Sequence, residues 1–145
     1  MTQSTGQLAV IATPIGNLGD LSPRAAKMLQ SADILACEDT RITRKLLALT
    51  GLRTSAKVMP YHDHNGTEMR PKLLAAMSAG NLVALVSDAG TPLVSDPGYK
   101  LVAACYDAGI NVMTIPGPSA VLAALSAAGL PSNRFLFGGF VPNSQ

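Results

Sequence analysis

The stretch LVALVSDAGTPLVSDPG, residues 82–98, joins a run of apolar residues to a long loop. Residues 82–87 are rich in leucine and valine, as expected of a strand that is buried on both faces of a parallel sheet. The eleven residues of 88–98 include two glycines, two prolines and two aspartates. This loop is longer than a simple strand-to-helix connection needs, and its prolines stiffen a backbone that presents N–H and C=O groups in fixed directions. The stretch therefore predicts a buried strand followed by a ligand-binding loop.

Further strands and helices are predicted on both sides of this stretch. Strand-like apolar runs occupy residues 8–12, 33–37, 57–60, 111–115 and 134–140. Five helices are predicted. The first runs from Ser22-Pro23 to about Gln30, the second from Asp39 or Thr40 to Gly51, and the last from Ser119 to Gly129. The third passes through Leu73, Leu74 and Met77 to Gly80, and the fourth through Leu101, Val102 and Cys105 to Gly109. Pro71 leaves the start of the third helix open. Strands that alternate with helices predict an α/β fold, with a mostly parallel sheet flanked by helices.

Composition limits the class of protein. The chain has 145 residues, of which 48% are apolar and 14% charged, and a mean hydropathy of +0.27. These values favour one compact domain over a disordered chain, and a net charge of +2 does not by itself mark a nucleic-acid binder. Cys37 and Cys105 lie in apolar runs without metal-ligand spacing, which favours a reducing cytoplasm over a disulfide framework. No apolar run is long enough to cross a membrane and the amino terminus lacks a basic region, so neither secretion nor membrane anchoring is expected.

The segments that follow the predicted strands carry most of the unusual residues. They are 13–20, 38–41, 62–65, 88–98 and 116–119, and they hold six of the nine acidic residues and both histidines. In an open parallel sheet the carboxyl ends of the strands line the ligand crevice. The sequence therefore predicts a site at one edge of the sheet.

Several of these segments also have a purely structural interpretation. Residues 13–20 do not spell a dinucleotide-binding motif, and they form either a close backbone approach to a ligand or a tight turn into a capped helix. Asp96, which precedes a proline, is expected to be a turn or helix cap. Residues 38–41 (EDTR) form either a turn closed by its own salt bridge or a site for a ribose or phosphate.

The two histidines lie two positions apart, which in an extended segment places both imidazoles on one side. His62 and His64 could pair on a metal ion, but no third ligand has suitable spacing, and no metal is expected. A general base or an RNA contact is a second interpretation, because imidazole titrates near neutral pH. A polar surface loop is the third.

Basic residues are concentrated in one part of the chain. Residues 41–57 contain five of them and no acid, and extension to Lys72 brings the number to seven of eleven. Such a patch suits an anionic polymer, although a solvated helix face has the same composition.

Six motifs in this order along the chain resemble those of a known superfamily. They are ATPIGNLGDLS (12–22), ADILACEDTR (32–41), HDHN (62–65), LVSDAGTPLVSDPG (85–98), PGPSAVLAALSAAGLP (116–131) and FGGFVP (137–142). Together they resemble the tetrapyrrole methylases, which use S-adenosyl-L-methionine as methyl donor. EDTR and the fourth motif are similar to the branch that methylates the ribose 2′-hydroxyl of a cytidine in small-subunit (16S) ribosomal RNA. The corrin-modifying branch normally carries Gly-Asp-Pro in the fourth motif.

The resemblance implies a role for individual residues. For the methyl transfer that it implies, our candidates for the general base are His62, Asp63 and His64, with Glu38 or Asp39 behind them. It implies that the cofactor cleft is lined by Pro14, Ser87, Asp88, Ala89, Gly90, Pro92, Pro116, Gly117 and Ser119. It also implies that RNA phosphates are held by Arg41, Arg44 and Lys45.

The resemblance also implies a larger protein. Members of the superfamily have two α/β domains with the cofactor between them, so residues 1–141 are expected to be an amino-terminal domain and 142–145 the start of a linker. A cytoplasmic homodimer that binds no DNA and no membrane is expected, and the isolated domain is expected to be inactive. Two alternatives stay open: a methyltransferase acting on a corrin or porphyrin precursor, and a non-catalytic RNA-binding module.

Overall fold

The computed structural model describes residues 6–144 and consists of five strands, five α-helices and one 3-10 turn. Along the chain they are β1 (Gln7–Ile11), the 3-10 turn (Leu18–Asp20), α1 (Pro23–Ser31), β2 (Ile34–Cys37), α2 (Thr40–Thr50), β3 (Lys57–Pro60), α3 (Gly66–Ser78), β4 (Leu82–Val86), α4 (Tyr99–Asp107), β5 (Asn111–Ile115) and α5 (Ala120–Ala127). The strand bounds lie within one residue of the predicted ones for these five runs. None of the helices in residues 6–144 has both the length and the apolar character to cross a bilayer.

The strands form one parallel sheet in the order β3-β2-β4-β1-β5. β4 is central and pairs with β1 and β2, and Ala84 lies opposite both Ala9 and Leu35. The apolar run 82–86 is therefore buried, as its composition predicts, and the α/β fold with a parallel sheet is confirmed. Because all five strands run the same way, their following loops meet at one edge.

Helices cover both faces of the sheet. On one face Leu29 of α1 and Leu47 of α2 pack with Ile11 and Leu35. On the other face α3 and α4 contribute, among others, Leu73, Met77, Leu101 and Cys105 to a second core. Successive side chains along each strand point alternately into these two cores, as expected of a strand period of two.

The predicted helix ends are mostly confirmed. The Ser22 hydroxyl accepts a 3.0 Å hydrogen bond from the Ala25 N–H, and Pro23 is the first residue of α1. Asp39, not Thr40, is the cap of α2, and Ser119 caps α5. Helix α3 begins at Gly66, so Pro71 lies inside it.

The predicted sixth strand at 134–140 is wrong. These residues form no strand and are exposed, with Leu136 at 92% and Phe140 at 84%. Gly138 and Gly139 interrupt the apolar run, and Gly139 has a φ of +81°, which a strand does not use. The sheet therefore ends at β5. Helix α5 has no buried residue, and Leu122 on it is 55% exposed.

Candidate functional site

The loop 88–98 is tied to the loops that follow β2, β1 and β5. After β2, the Asp39 N–H donates to Oδ1 of Asp88 at 3.1 Å. Gly90 and Thr13 exchange two backbone hydrogen bonds of 3.0 Å each, which form an antiparallel bridge after β1. The Thr91 hydroxyl donates to the carbonyl of Pro118 after β5 at 2.9 Å. Because β4 is central, its loop reaches neighbours on both sides and holds the carboxyl edge of the sheet together.

This loop has a constrained backbone. Leu93 and Ser95 have φ values of +76° and +59°, which side-chain-bearing residues rarely adopt. The buried hydroxyl of Ser87 donates to the carbonyls of Ala89 at 3.2 Å and Gly90 at 3.4 Å. Backbone of this kind persists only where its surroundings fix it, and it is concentrated at functional sites.

Two glycines of these loops are needed for different physical reasons. Gly90 has a φ of +77°, and a β-carbon on it would lie 3.6 Å from the Pro118 carbonyl oxygen. A β-carbon on Gly117 would lie 3.0 Å from the β-carbon of Ala12. Both backbone polar groups of Gly90 are used by Thr13. Gly90 is therefore favoured by its backbone angle, and Gly117 by its close approach to Ala12.

The first of three hollows at this edge is an apolar groove of about 480 Å³. The residues that line it include Thr91, Pro116, Gly117, Ser119, Leu122, Phe135 and Phe137. Three of the predicted cofactor residues therefore meet in this groove. Its size and its few hydroxyls among apolar groups are typical of small-molecule sites.

The second hollow, of about 360 Å³, lies between the loop after β1 and helix α2. Pro14, Gly16, Lys45 and Asp88 line it together with Thr13. Thr13 is 1% exposed, and its hydroxyl has no hydrogen-bond partner within residues 6–144. A buried hydroxyl without a partner is costly, so this hollow has unused hydrogen-bonding capacity.

The third hollow, which we call the acidic–histidine bowl, has a volume of about 470 Å³ and is lined by Glu38, Asp39, Thr40, Arg41, Pro60, His62, His64 and Asp88. Asp88 lines both the second hollow and the bowl. Four of the five predicted catalytic residues meet here. The fifth, Asp63, lines a different cavity with Arg70. Ser87, Ala89, Gly90 and Pro92 line none of the three hollows described here and shape the loop instead.

Asp39 and Arg41 form the salt-bridged turn that was one interpretation of EDTR. The Arg41 Nη2 lies 2.7 Å from Asp39 Oδ2, and its Nε and backbone N–H donate to Oδ1 at 3.1 and 2.8 Å. These hydrogen bonds lower the pKa of Asp39 to about 2. A carboxylate with so low a pKa is a poor base.

Glu38 has the opposite electrostatic environment. Burial raises its pKa, and so do the negative charges of Asp88, Asp96 and Asp63. Burial also raises the pKa of Asp96, an effect that Ser87 partly offsets. The helix-cap interpretation of Asp96 is wrong, since α4 begins after Gly98 without a side-chain cap.

Residues 62–65 form a turn and not an extended segment, so the one-sided placement of the imidazoles does not follow from strand geometry. Asn65 closes the turn by accepting from the His62 N–H at 2.9 Å and donating to the Pro60 carbonyl at 3.0 Å. The two imidazole rings still lie close together, edge to face, with centroids 5.9 Å apart and an angle of 63° between their planes. No group of three or more histidine, cysteine or carboxylate ligands in residues 6–144 is arranged to hold a metal ion.

The basic patch is divided by the sheet. Arg41, Arg44 and Lys45 are exposed on α2, whereas Arg70 lies on α3, which packs on the opposite face. Lys72 on α3 is paired with Glu68 at 2.6 Å. The extension of one continuous patch to Lys72 is therefore wrong, because residues close in sequence lie on two faces.

Sequence reasoning missed residues that line the hollows. Phe135 and Phe137 were assigned to a strand, and Thr13 and Lys45 were not paired with one another. The apolar run at 134–140 suits a last strand as well as an exposed apolar wall. The sequence therefore gives no signal that separates the two.

Comparison with known proteins shows which family has this sequence and fold. The family model described as Tetrapyrrole (Corrin/Porphyrin) Methylases matches residues 7–140. The chain is similar to proteins named ribosomal RNA small subunit methyltransferase I. It is 59% identical over 135 residues to the one from Mesorhizobium japonicum, covering 93% of this chain and 45% of that protein. It is 52% identical over 139 residues to the one from Escherichia coli, covering 96% and 48%.

The chain thus spans about half the length of the curated relatives it matches. Among solved structures, uroporphyrin-III-C-methyltransferase from Thermus thermophilus is similar with a TM-score of 0.64 and 26% identity, covering 87% of this chain and 53% of that one. A conserved hypothetical protein from Aeropyrum pernix has a TM-score of 0.71 at 24% identity, covering 91% and 45%, which supports the fold alone. From the match over residues 7–140, the chain belongs to the tetrapyrrole (corrin/porphyrin) methylase family.

Proposed function

We propose that this chain forms part of an S-adenosyl-L-methionine-dependent methyltransferase that modifies the ribose 2′-hydroxyl of a cytidine in small-subunit (16S) ribosomal RNA. The observation that carries the proposal is the position of Asp88, which lines the hollow beside Pro14 and the acidic–histidine bowl. A methyl donor bound in the hollow beside Pro14 and a ribose hydroxyl bound in the bowl would therefore be neighbours across Asp88. The names of the relatives at 52–59% identity support RNA as the substrate.

The proposal includes a second domain. Because the chain spans about half of its curated relatives, we assign residues 1–141 to an amino-terminal domain and 142–145 to the start of a linker. The exposed side chains of Phe135 and Phe137 line the apolar groove, Leu136 and Phe140 are exposed in the same segment, and this apolar surface is consistent with a further wall there. A cytoplasmic homodimer is part of the same proposal.

The residues of this chain fit the cofactor. The apolar groove offers Pro116, Gly117, Ser119 and Thr91, and the second hollow offers Pro14, Asp88 and the unpaired hydroxyl of Thr13. S-adenosyl-L-methionine has apolar surface that suits the apolar groove and polar groups that suit the second hollow. Bound there, the cofactor supplies an electrophilic methyl group.

The bowl supplies the groups that orient and deprotonate a hydroxyl. Glu38 is the carboxylate whose raised pKa suits a general base, and His62 and His64 are the other candidates in reach of the same space. Asp39 is assigned to holding Arg41 in place, because their ion pair keeps its pKa near 2. Alignment of the hydroxyl contributes to the rate in addition to proton removal.

Arg44 and Lys45 are assigned to RNA phosphates. Both are exposed on α2 beside the bowl, and Lys45 also lines the second hollow. Arg41 lines the bowl and uses its guanidinium on Asp39, which leaves part of its donor set for a phosphate.

A second candidate is methylation of a porphyrin precursor, which the similarity to the Thermus thermophilus enzyme favours. The decisive experiment joins this chain to the second half found in its relatives and supplies a labelled methyl donor. Assembled small subunits and uroporphyrinogen are offered as separate substrates. Label in the ribose of the RNA supports the proposal, and label only in the tetrapyrrole contradicts it. Binding of RNA without any transfer of label identifies the third candidate, a non-catalytic RNA-binding module.

A further inference from the structure

A small cavity lies beside the acidic–histidine bowl, between the amino-terminal ends of α3 and α4. Its volume is about 20 Å³, and its walls include His62, Asp63, Gly66, Arg70, Tyr99 and Lys100. A cavity of this size holds one water-sized group, such as a single oxygen atom of a larger ligand. His62 lines both this cavity and the bowl, so the two spaces are adjacent.

Two helices begin at this cavity without a side-chain cap. Helix α3 has thirteen residues and starts at Gly66, and helix α4 has nine and starts at Tyr99. The side chain of Asn65 makes no hydrogen bond to α3, and Gly98 has no side chain with which to cap α4. The first N–H groups of a helix need acceptors, and its amino terminus favours a negative charge. Both helices therefore favour an anion in the same place.

Two side chains in the walls carry buried nitrogen atoms without partners. They are Nε of Arg70 and Nδ1 of His62, and neither finds an acceptor or donor within residues 6–144. The Arg70 guanidinium is close to the start of α3, with Nη2 3.4 Å from the point where a β-carbon on Gly66 would lie. Burial of an unpaired guanidinium nitrogen is costly. An oxygen ligand would lower that cost.

The charges around the cavity are mainly positive. Arg70 and Lys100 line it together with Asp63, which is the one carboxylate in the walls. The Lys100 ammonium lies 5.8 Å from the ring centroid of Tyr99, at the start of α4. No salt bridge within the part of the chain that the structure describes uses Arg70 or Lys100. A water molecule can satisfy a hydrogen bond here but leaves this excess charge uncompensated.

We propose that the cavity binds a phosphate group, with one oxygen between the ends of α3 and α4 and the others toward Lys100. Its chemistry is that of any phosphate, and we assign the RNA backbone as its source, a step that rests on the proposed function. A phosphate held beside His62 would fix the backbone of the same strand whose ribose enters the bowl.

The phosphate itself is tested on this 145-residue chain by NMR titration with inorganic phosphate, with chloride keeping the ionic strength constant. The expected result is a saturable shift of the amide signals of Gly66, Thr67, Tyr99 and Lys100. Arg70→Gln should weaken that binding at least tenfold. The matched control is Arg24→Gln, because Arg24 is exposed on α1 on the opposite face of the sheet. Unchanged binding by a folded Arg70→Gln variant, or no saturable shift in the original chain, overturns the proposal.

Lys100→Gln is the second variant, since Lys100 is exposed and its loss leaves the core intact. It should weaken phosphate binding in the same way if Arg70→Gln fails to fold. Phosphate-binding in Lys100→Gln that equals that of Arg24→Gln then contradicts the assignment.

The source is tested by the salt dependence of binding to small-subunit RNA. Loss of one phosphate contact should reduce the slope of log K against log salt by about 0.7 to 0.9 in Arg70→Gln and leave it unchanged in Arg24→Gln. An unchanged slope in Arg70→Gln, together with lost phosphate binding, overturns the RNA assignment in favour of free phosphate. Failure of methyl transfer would overturn the proposed function without affecting the phosphate titration, so the two failures are distinguishable.

Discussion

The backbone N–H of Asp39 donates a 3.1 Å hydrogen bond to Oδ1 of Asp88, and this contact joins the carboxyl ends of β2 and β4. Forty-nine residues separate the two positions along the chain. Burial and then the charge of the same Asp88 carboxylate raise the pKa of Glu38, so one side chain both ties the loops together and contributes to the electrostatics of the bowl.

Asp88→Ala should destabilise the fold, because it leaves a partly buried N–H without an acceptor. We expect a loss of about 1–3 kcal/mol in the free energy of unfolding, measured with urea. Asp88→Asn is the control, since its amide oxygen can still accept from Asp39. Equal stability of the alanine and asparagine variants would show that the hydrogen bond contributes nothing.

Gly90→Ala should weaken cofactor binding in the two-domain protein. The φ of +77° at Gly90 disfavours a β-carbon, and strain there would distort the bridge to Thr13 and move the loop that shapes the site. Gly51→Ala provides the control, because Gly51 ends α2 with a φ of +68° and has open space around it. Calorimetry should show an affinity loss for the first variant only. Gly90→Val should have a larger effect in the same direction, and an unchanged affinity in a folded variant contradicts both expectations.

Glu38→Gln should separate stability from activity. The pKa of Glu38 is higher in the folded chain than in the unfolded chain, so ionisation of Glu38 reduces the free energy of unfolding. This loss of stability is absent at low pH, where the carboxyl is protonated in both states. It grows as the pH rises through the unfolded and then the folded pKa. The variant should therefore be more stable than the original chain at pH 7 and equally stable well below pH 4. Methyl transfer by the two-domain protein should fall by about 10²–10⁴-fold if Glu38 is the base. Thermal unfolding at several pH values and single-turnover rates measure the two effects, and full activity would assign the base to a histidine of the bowl.

Reversal of charge on α2 should weaken RNA binding. Arg44→Glu with Lys45→Glu replaces two positive charges beside the bowl with two negative ones and should reduce the salt slope of RNA binding, because fewer counterions are released. Arg24→Glu with Lys27→Glu on α1 changes the net charge equally on exposed residues that line none of the three hollows. If both pairs of substitutions have the same effect, binding depends on net charge and α2 is only a solvated face.

The 145-residue chain alone should fold but bind S-adenosyl-L-methionine weakly and transfer no methyl group. Its groove and second hollow are open, so a ligand there is buried much less than the 70–90% typical of small-molecule pockets. Affinity should be lower than in the two-domain protein by orders of magnitude. Circular dichroism checks the fold and calorimetry the affinity. Micromolar binding by this chain would contradict the proposed need for a second domain.

Local signals in the sequence were sufficient for most of the fold. Ser22, Ser119 and Gly51 fix helix ends through their own hydrogen bonds or backbone angles, and these are readable from neighbouring residues. The sixth strand failed because a strand needs a partner, and a run of apolar residues does not reveal whether one is available.

The site was only partly predictable for a related reason. Alternation of strands and helices indicates that the loops share an edge, but the order β3-β2-β4-β1-β5 decides which loops touch. The bridge between Thr13 and Gly90 and the contact between Asp39 and Asp88 depend on that order. Likewise Arg70 and Arg44 are 26 positions apart in one basic segment, and only the sheet places them on opposite faces.

The position of β1 between β4 and β5 has a consequence for synthesis of the chain. Gln7 pairs with Leu82 and Asn111, so β1 leaves the ribosome before both of its partners, which follow 75 and 104 residues later. At about 5–20 residues per second, β1 waits roughly 4–15 s for its first partner. During that interval its apolar residues, Leu8 to Ile11, have no sheet to enter. Nascent chains of this protein therefore carry an unpaired apolar strand until β4 emerges.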